Sequence, residues 1–141
     1  MPVGELGPED VVTVEKDAKI SDVVDQLESE NVGAIVVTDE EKPVGIVTDR
    51  DVALALNRMD DLATGDVTDI MTEDPVTLRE DDPELAVART IEDENVRRIP
   101  VVDEDGKLTG IVTLDDLVAT VGEELGKVSN TIESQSPDYK P

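Results

Sequence analysis

The heptapeptide GIVTDRD, Gly45 to Asp51, returns as GIVTLDD, Gly110 to Asp116, each time leaving a short apolar run and entering an amphipathic segment. Repetition constrains architecture more than composition does, because one supersecondary unit is then used twice. The match extends well beyond seven residues. Val12, Thr13 and Val14 correspond to Val76, Thr77 and Leu78, and Asn31 to Val37 corresponds to Asn95 to Val101. The offset is 64 through these segments and 65 from Gly45 onward, so the second copy holds one extra residue in a turn.

A unit of about 55 to 60 residues buries only ~60% of its unfolded surface and is marginal alone. The two copies are therefore expected to fold against each other as one body. Leu, Ile and Val make up 41 of the 141 residues, well above the ~20% below which disorder is the better expectation.

The chain carries 36 acidic against 12 basic residues, a formal charge of −24. Self-repulsion of that size opposes compaction, and salt relieves it. At roughly 1 M salt the Debye length is about 3 Å. With acids spread along the whole chain, only six lysines and almost no aromatics, the composition suits a halophilic protein working in molar salt; the plainer reading is a merely acidic soluble protein. Such a field repels phosphate backbones, so nucleic acid is a poor partner. With no cysteine or histidine, thiolate chemistry, disulfides and zinc sites built on those residues are absent. No apolar run approaches the ~18 residues of a membrane span. MPVGELGPED has neither the basic start nor the apolar stretch of a signal peptide, and a cytoplasmic location is expected.

Residues 1–10 read as an irregular arm. Val11–Val14 is a short strand, and Ile20, Val23, Val24 and Leu27 trace one helix face. Ala34–Val37 and Val44–Val47 form continuous β-branched runs, as in strands buried on both faces, with a polar turn from Asp39 to Pro43 that favours a hairpin. Thr48 to about Asn57 is a helix with Val52, Ala53 and Leu56 inward. Residues 58–74 join the copies, with a helical turn expected at Val67–Met71. The second copy repeats the order. Asp82 is its N-cap candidate ahead of Pro83, with Val87, Ala88 and Ile91 inward. Ile99–Val102 and Leu108–Val112 form its hairpin, and Leu114, Leu117, Val118, Val121 and Leu125 form the core stripe of its last helix. From residue 128 the sequence loses periodicity and reads as a mobile tail holding Tyr139. The domain plan is thus 8–62, 63–74, 75–126 and 127–141, each copy running strand, helix, strand, strand, helix in an α+β arrangement of α/β-type layers.

Thr48-x-x-Asp51 and Thr113-x-x-Asp116 admit two readings. One is a capping box, in which hydroxyl and carboxylate close on the backbone. The other uses the same geometry for binding: a helix N-terminus offers free amides to phosphate, and an aspartate accepts from two neighbouring ribose hydroxyls. One carboxylate oxygen could cap while the other binds.

The element order, the two copies, the paired Gly-Ile-Val-Thr-x-x-Asp segments and RRIPVVD, Arg97 to Asp103, resemble a tandem pair of CBS domains, a Bateman module, across roughly residues 8–126. That resemblance implies two βαββα repeats related by a pseudo-twofold with a cleft on each side. It also implies adenosine-based ligands (AMP, ADP, ATP or S-adenosylmethionine) and regulation of a partner protein, with many members pairing as homodimers. It makes Asp51 and Asp116 ribose-binding acids, and Thr48 and Thr113 contacts to ribose or phosphate. It puts Ala34, Ile35, Val36 and Arg98, Ile99, Pro100 in the clefts, with Thr13, Thr77, Val14 and Leu78 at mouth and floor. No resident cofactor is implied, because the nucleotide is a ligand.

The copies differ where such a ligand would sit. Arg97 and Arg98 stand where the first copy has Gly33 and Ala34, and Arg50 stands inside the first Thr-x-x-Asp segment, where the second has Leu114 and Asp115. A phosphate contact by Arg97 or Arg98, and clefts of unequal affinity, are expected. Surface ion pairing in an acidic protein is the other use of those arginines. Asp115 beside Asp116 disfavours a strongly anionic ligand there, whereas a cationic one such as S-adenosylmethionine meets no such penalty. Acid pairs such as Asp60-Asp61 read as solvated faces, and Met59 and Met71 as core filler. No nucleophile–base pair, phosphate-loop lysine or metal cluster is evident, so the chain reads as a regulatory binding module and not an enzyme. The competing reading is a purely structural interaction module with empty clefts.

Overall fold

In a computed structural model that describes residues 1–7 and 10–135, each copy folds around its own small sheet. The first unit contains β1 (Thr13–Glu15), α1 (Ile20–Ser29), β2 (Ala34–Asp39), β3 (Lys42–Thr48), α2 (Asp49–Ala55) and β4 (Thr72–Glu73). The second contains β5 (Leu78–Arg79), α3 (Glu84–Glu94), β6 (Arg98–Val102), β7 (Leu108–Thr113) and α4 (Leu114–Gln135). Strand orders are β1-β2-β3-β4 and β5-β6-β7. In each sheet the first strand runs parallel to the second, across a helical crossover, and the hairpin is antiparallel.

Alternation along the central strands separates two buried faces. Ile35 and Val37 pack with Val23, Val47 and Val67 under the helices of the first unit, and Ile99 and Val101 pack with Val87 and Val112 in the second. Val36 and Pro100 point to the opposite faces yet are as fully buried. Both faces of each central strand are therefore covered, one by the unit's own helices and one toward the other unit, which explains the uninterrupted β-branched runs. The hairpins also touch: Leu108 N donates to Glu41 O at 2.8 Å, and Lys107 Nζ lies 3.3 Å from Glu41 Oε2.

The first residues are not an irregular arm. Val3–Glu5 is a 3-10 turn, and Val3 and Leu6 enter the core of the second unit. Residues 58–74 do hold the helical turn expected at Val67–Met71, as a 3-10 turn over Val67–Asp69, and they are more than a connector: Val67 and Ile70 join the core of the first unit, and β4 pairs with β3. These segments are the same piece of the repeat, 64 residues apart, each packed on the copy it does not immediately precede. Their hydrogen bonds correspond. Val3 N donates to Asp82 O (2.8 Å) as Val67 N does to Ala18 O (3.0 Å), and Glu84 N to Met1 O (3.1 Å) as Ile20 N does to Gly65 O (2.9 Å).

Local chemistry explains several other departures. The first hairpin turns in two residues, Glu40 and Glu41, both at positive φ (51° and 68°), so β3 begins at Lys42 rather than beyond Pro43. Two positive φ values match strand twist in so short a loop. The longer second turn places Gly106 at φ 82°, and Asp103 Oδ1 accepts from the Asp105 and Lys107 amides. Asn31 and Asn95 hold the left-handed positions after α1 and α3 (φ 52° and 53°), a conformation asparagine tolerates. Pro83, not Asp82, is the N-cap of α3, and Asp82 Oδ2 instead accepts from Arg79 N. Val24, Ala53, Leu56 and Ala88 face outward, and Ala55 takes the inward place in α2.

The tail expected after residue 127 is helical through Gln135, and only Leu117 of the expected α4 stripe packs on the core; Val118, Val121 and Leu125 are exposed. Tyr139 lies outside the described residues. No described helix is long and apolar enough to cross a membrane.

Candidate functional site

Thr48 and Thr113 each end a hairpin strand and open a helix, and both form the capping box their spacing predicts. Thr48 N donates to Asp51 Oδ2 at 2.9 Å, and Asp51 N donates to Thr48 Oγ1 at 3.2 Å. The second copy repeats this at 2.9 and 3.1 Å. In both aspartates the bonded oxygen is Oδ2, and Oδ1 has no hydrogen-bond partner among the described residues. The capping role thus uses half of each carboxylate. It fixes the side chain without exhausting it.

Beside the first box lies a cavity of about 500 Å³ between the units, within the size range of small-molecule sites. From the first unit come Ile46, Thr48, Arg50 and Asp51, with Thr72 of β4. The second unit contributes Asp74, Pro75 and Val76 ahead of β5, and Asn95, Val96, Arg97 and Arg98 around the start of β6. Ile46, Pro75, Val76 and Val96 supply apolar lining, and Arg50, Arg97 and Arg98 line it together with two acids, Asp51 and Asp74. Three of the chain's six arginines thus converge on one cavity in a protein of charge −24. None of the three has a salt bridge shorter than 4.0 Å among the described residues, that one being Arg97 to Asp115 at the head of α4.

Of the expected site residues, the structure brings Thr48, Arg50, Asp51, Arg97 and Arg98 to this cavity. Arg97 and Arg98 also border a smaller one, about 210 Å³, with Thr113, Leu114 and Asp115. Thr13 lies apart, in a cavity of about 200 Å³ with Glu15, Thr38, Glu41 and Leu108. Thr77 is exposed outside β5. Ala34 is half-buried and pairs with Thr48, whereas Ile35, Val36, Ile99 and Pro100 are buried in the sheets. Asp116 caps α4 on the second copy's side. By the repeat, the matching cleft there would combine Ile111, Thr113 and Asp116 with Asp10, Val12, Val32, Gly33 and Ala34. No arginine stands at those positions, and residues 8 and 9 beside them are outside the described set.

The sequence reading missed Ile46, Thr72, Asp74, Pro75, Val76, Asn95 and Val96. The available signal was the stretch just ahead of the second copy's first strand, which inter-unit packing carries to the end of β3.

The family description "CBS domain" matches residues 3–58 and 67–123. An uncharacterized protein of Methanopyrus kandleri, MK0525, is 31% identical over 89% of this chain and 68% of its own length. The chain spans only 21% and 44% of two further relatives from Methanocaldococcus jannaschii. Among solved structures, the CBS domain protein PAE2072 from Pyrobaculum aerophilum complexed with AMP has a TM-score of 0.74 at 28% identity, covering 82% of this chain and 89% of that one. The CBS domain pair of MJ0100 in complex with 5′-methylthioadenosine and S-adenosyl-L-methionine has a TM-score of 0.76 at 29% identity, covering 88% and 98%.

Proposed function

The chain belongs to the CBS-domain family, as two copies in tandem, and from that premise we propose that it is a cytoplasmic regulatory module whose inter-unit cleft takes a phosphorylated adenosine ligand (AMP, ADP or ATP) and passes the binding event to a partner protein. The observation that carries this reading is the convergence of Arg50, Arg97 and Arg98 on a cavity that is also lined by apolar residues and by Asp51, whose capping bond uses only Oδ2. Adenine would rest among Ile46, Pro75, Val76 and Val96, and Asp51 Oδ1 would accept from the ribose hydroxyls. The guanidiniums would meet the phosphates, a pairing they form better than lysine does. The acidic counterpart around Asp115 and Asp116 suits a neutral or cationic adenosyl group, such as S-adenosylmethionine, better than a polyphosphate. The adenosine-based ligands named for PAE2072 and MJ0100 support the adenosyl class.

Arg97 offers a route out of the cleft. Its carbonyl accepts from Leu114 N at 2.9 Å, and its side chain lies 4.0 Å from Asp115. A phosphate competing with Asp115 for that guanidinium would bias the first turn of α4, provided the ligand binds two arrangements unequally.

Thermal melts and calorimetry with AMP, ATP and S-adenosylmethionine in molar salt test the reading. A ligand at 100 times its dissociation constant adds about 2.7 kcal/mol of stability. Arg98→Glu should weaken ATP binding several-fold, and unchanged affinity removes Arg98 from the site. The self-contained capping boxes favour one alternative, a structural module with empty clefts, which predicts no shift for any of the three.

A further inference from the structure

The first unit fills and charges one corner of its sheet with its own side chains. Met71 lies over Gly45, where an added Cβ would meet Cγ and Cε of that methionine at 3.0 and 3.2 Å and Sδ closer still. After β1, Lys16 Nζ lies 2.9 Å from Asp39 Oδ2. The second unit repeats the turn, Val3–Glu5 for Val67–Asp69, and drops both groups. Gly7 stands for Met71 and Glu80 for Lys16, while Asp39 is kept as Asp103. Beside Gly7 and Gly110 there is a cavity of about 340 Å³, lined also by Val3, Val101, Thr109, Ile111 and Glu80. Glu80 borders a second recess of about 320 Å³, shared with Asp81, Asp103, Glu104 and Asp105. The basic residues nearest in sequence are engaged elsewhere, Arg79 with Asp81 (3.5 Å) and Lys107 with Glu41 (3.3 Å). Glu80 and Asp103 therefore have no cation of their own among the described residues, and Asp103 spends only Oδ1 on the amides of its turn.

We propose that this corner of the second unit binds a small primary amine with an unbranched aliphatic stem. The stem takes the volume that Met71 fills in the first unit, and the ammonium takes the place of Lys16 Nζ, beside Glu80 and Asp103. The two copies themselves select the ligand class. An unbranched, flexible chain of roughly four heavy atoms is what the same backbone already accepts over Gly45. An anion is opposed by the acids at the mouth. A bare metal ion would leave Val3, Val101 and Ile111 facing water, and no group of acids among the described residues is arranged to hold one. An alkylammonium answers both vacancies at once, with apolar burial along the stem and a charge-assisted contact at its head. The site is separate from the nucleotide cleft. None of its residues lines the cavity beside Asp51, and Val3 and Val101 belong to the core under the second unit's own helices.

Methyl-resolved NMR titration of the full chain with n-propyl-, n-butyl- and n-pentylammonium chloride reads the site. At about 1 M potassium chloride, unspecific attraction to a surface of formal charge −24 is screened. Saturable shifts centred on the methyls of Val3, Val101 and Ile111 are expected. Each further carbon that enters the cavity should tighten binding by up to about four-fold. No saturable shift at those methyls, or the same shift with ammonium chloride alone, overturns the proposal. Glu80→Lys installs the first copy's residue at an exposed position, so the melting curve should be retained while amine affinity falls at least about ten-fold. A folded Glu80→Lys chain that binds the amines as before overturns the acidic half of the site. Thr109→Leu takes up part of the cavity with an aliphatic side chain, as its counterpart Val44 is aliphatic, and should weaken the longest amine most. Equal loss for every chain length, or none, overturns the apolar half.

Discussion

Val3→Ala removes two methyl groups from the core of the second unit, although the residue stands at the very start of the chain. Val3 is fully buried among Leu78, Val87, Ile99 and Val112. Two buried carbons contribute about 1.6 kcal/mol at ~0.8 kcal/mol each, and a cavity the core cannot refill brings the loss to about 2–3 kcal/mol. For a chain of this length that is a fall in melting temperature of about 6–12 °C. The matched control is Val67→Ala, the counterpart in the first unit, also fully buried. Melts of both variants by far-UV circular dichroism, at about 1 M salt so that surface repulsion is screened, should show similar losses. Each should also show a single transition, since each unit's core needs a segment that precedes the other. If Val67→Ala falls as expected while Val3→Ala melts within about 1 °C of the native chain, the reciprocal exchange is wrong and the first residues are an arm after all.

Gly7→Ala should be still more damaging, because its new methyl would collide with the Ile111 carbonyl, a backbone group that cannot rotate away; urea denaturation beside a conservative Gly126→Ala control, where space is open, separates the steric effect from helix propensity. The ammonium groups of Lys16 and Lys19 are held above the ordinary lysine value of 10.5 by hydrogen bonds to Asp39 and Asp66 and by the charge of those carboxylates. A raised pKa stabilises the protonated folded form, so this contribution is complete below about pH 10.5 and is lost as pH climbs through the raised values. Lys19→Met should flatten part of that alkaline decline in a pH series of melts. Raising salt from about 0.1 to 2 M should increase the native melting temperature, the reverse of what an ion-pair-dominated surface shows; a fall would remove the charge argument.

Periodicity and repetition exposed the element order and both hairpins because buried β-branched runs and Thr-x-x-Asp are strong local signals. Exchange of Val3 and Val67 left a weaker trace. Val3 and Leu6 stand 64 positions before Val67 and Ile70, but a 3-10 turn has too few residues for a pattern to emerge. Helix α4 shows the opposite difficulty: its stripe was plain, and spacing alone does not say whether a stripe faces its own core or another molecule. The polar turn was legible between Asp39 and Pro43, but its two-residue length at Glu40-Glu41 was not, because glutamate seldom takes positive φ. Arg50, Arg97 and Arg98 were visible as differences between copies, whereas Asp74, Pro75, Val76 and Val96 sit on loops that only inter-unit packing brings beside Asp51. Ile35, Val36, Ile99 and Pro100 come from the right strands, but they are buried in the sheets.

The two copies keep the same backbone and divide the charge. Asp49 N to Gly33 O (3.0 Å) and Leu114 N to Arg97 O (2.9 Å) are the same bond in the repeat, so the turn before each second helix survives whatever side chains surround it. That independence lets one copy carry Gly33 and Ala34 against Asp49 and Arg50, and the other Arg97 and Arg98 against Leu114 and Asp115. Because the cleft is shared, the arginines of the second copy line the same cavity as the aspartate of the first. The cavity beside Asp51 gathers positive charge, while the positions around Asp116 gather acids. Chain exchange ties the units together, with Val3 seated in the core of the second and Val67 in that of the first, so that a ligand bound as proposed between Arg97 and Asp51 would act on both. On the proposed reading, a symmetric scaffold with asymmetric charge would favour an anion at one cleft and would pass its presence through Arg97 to α4.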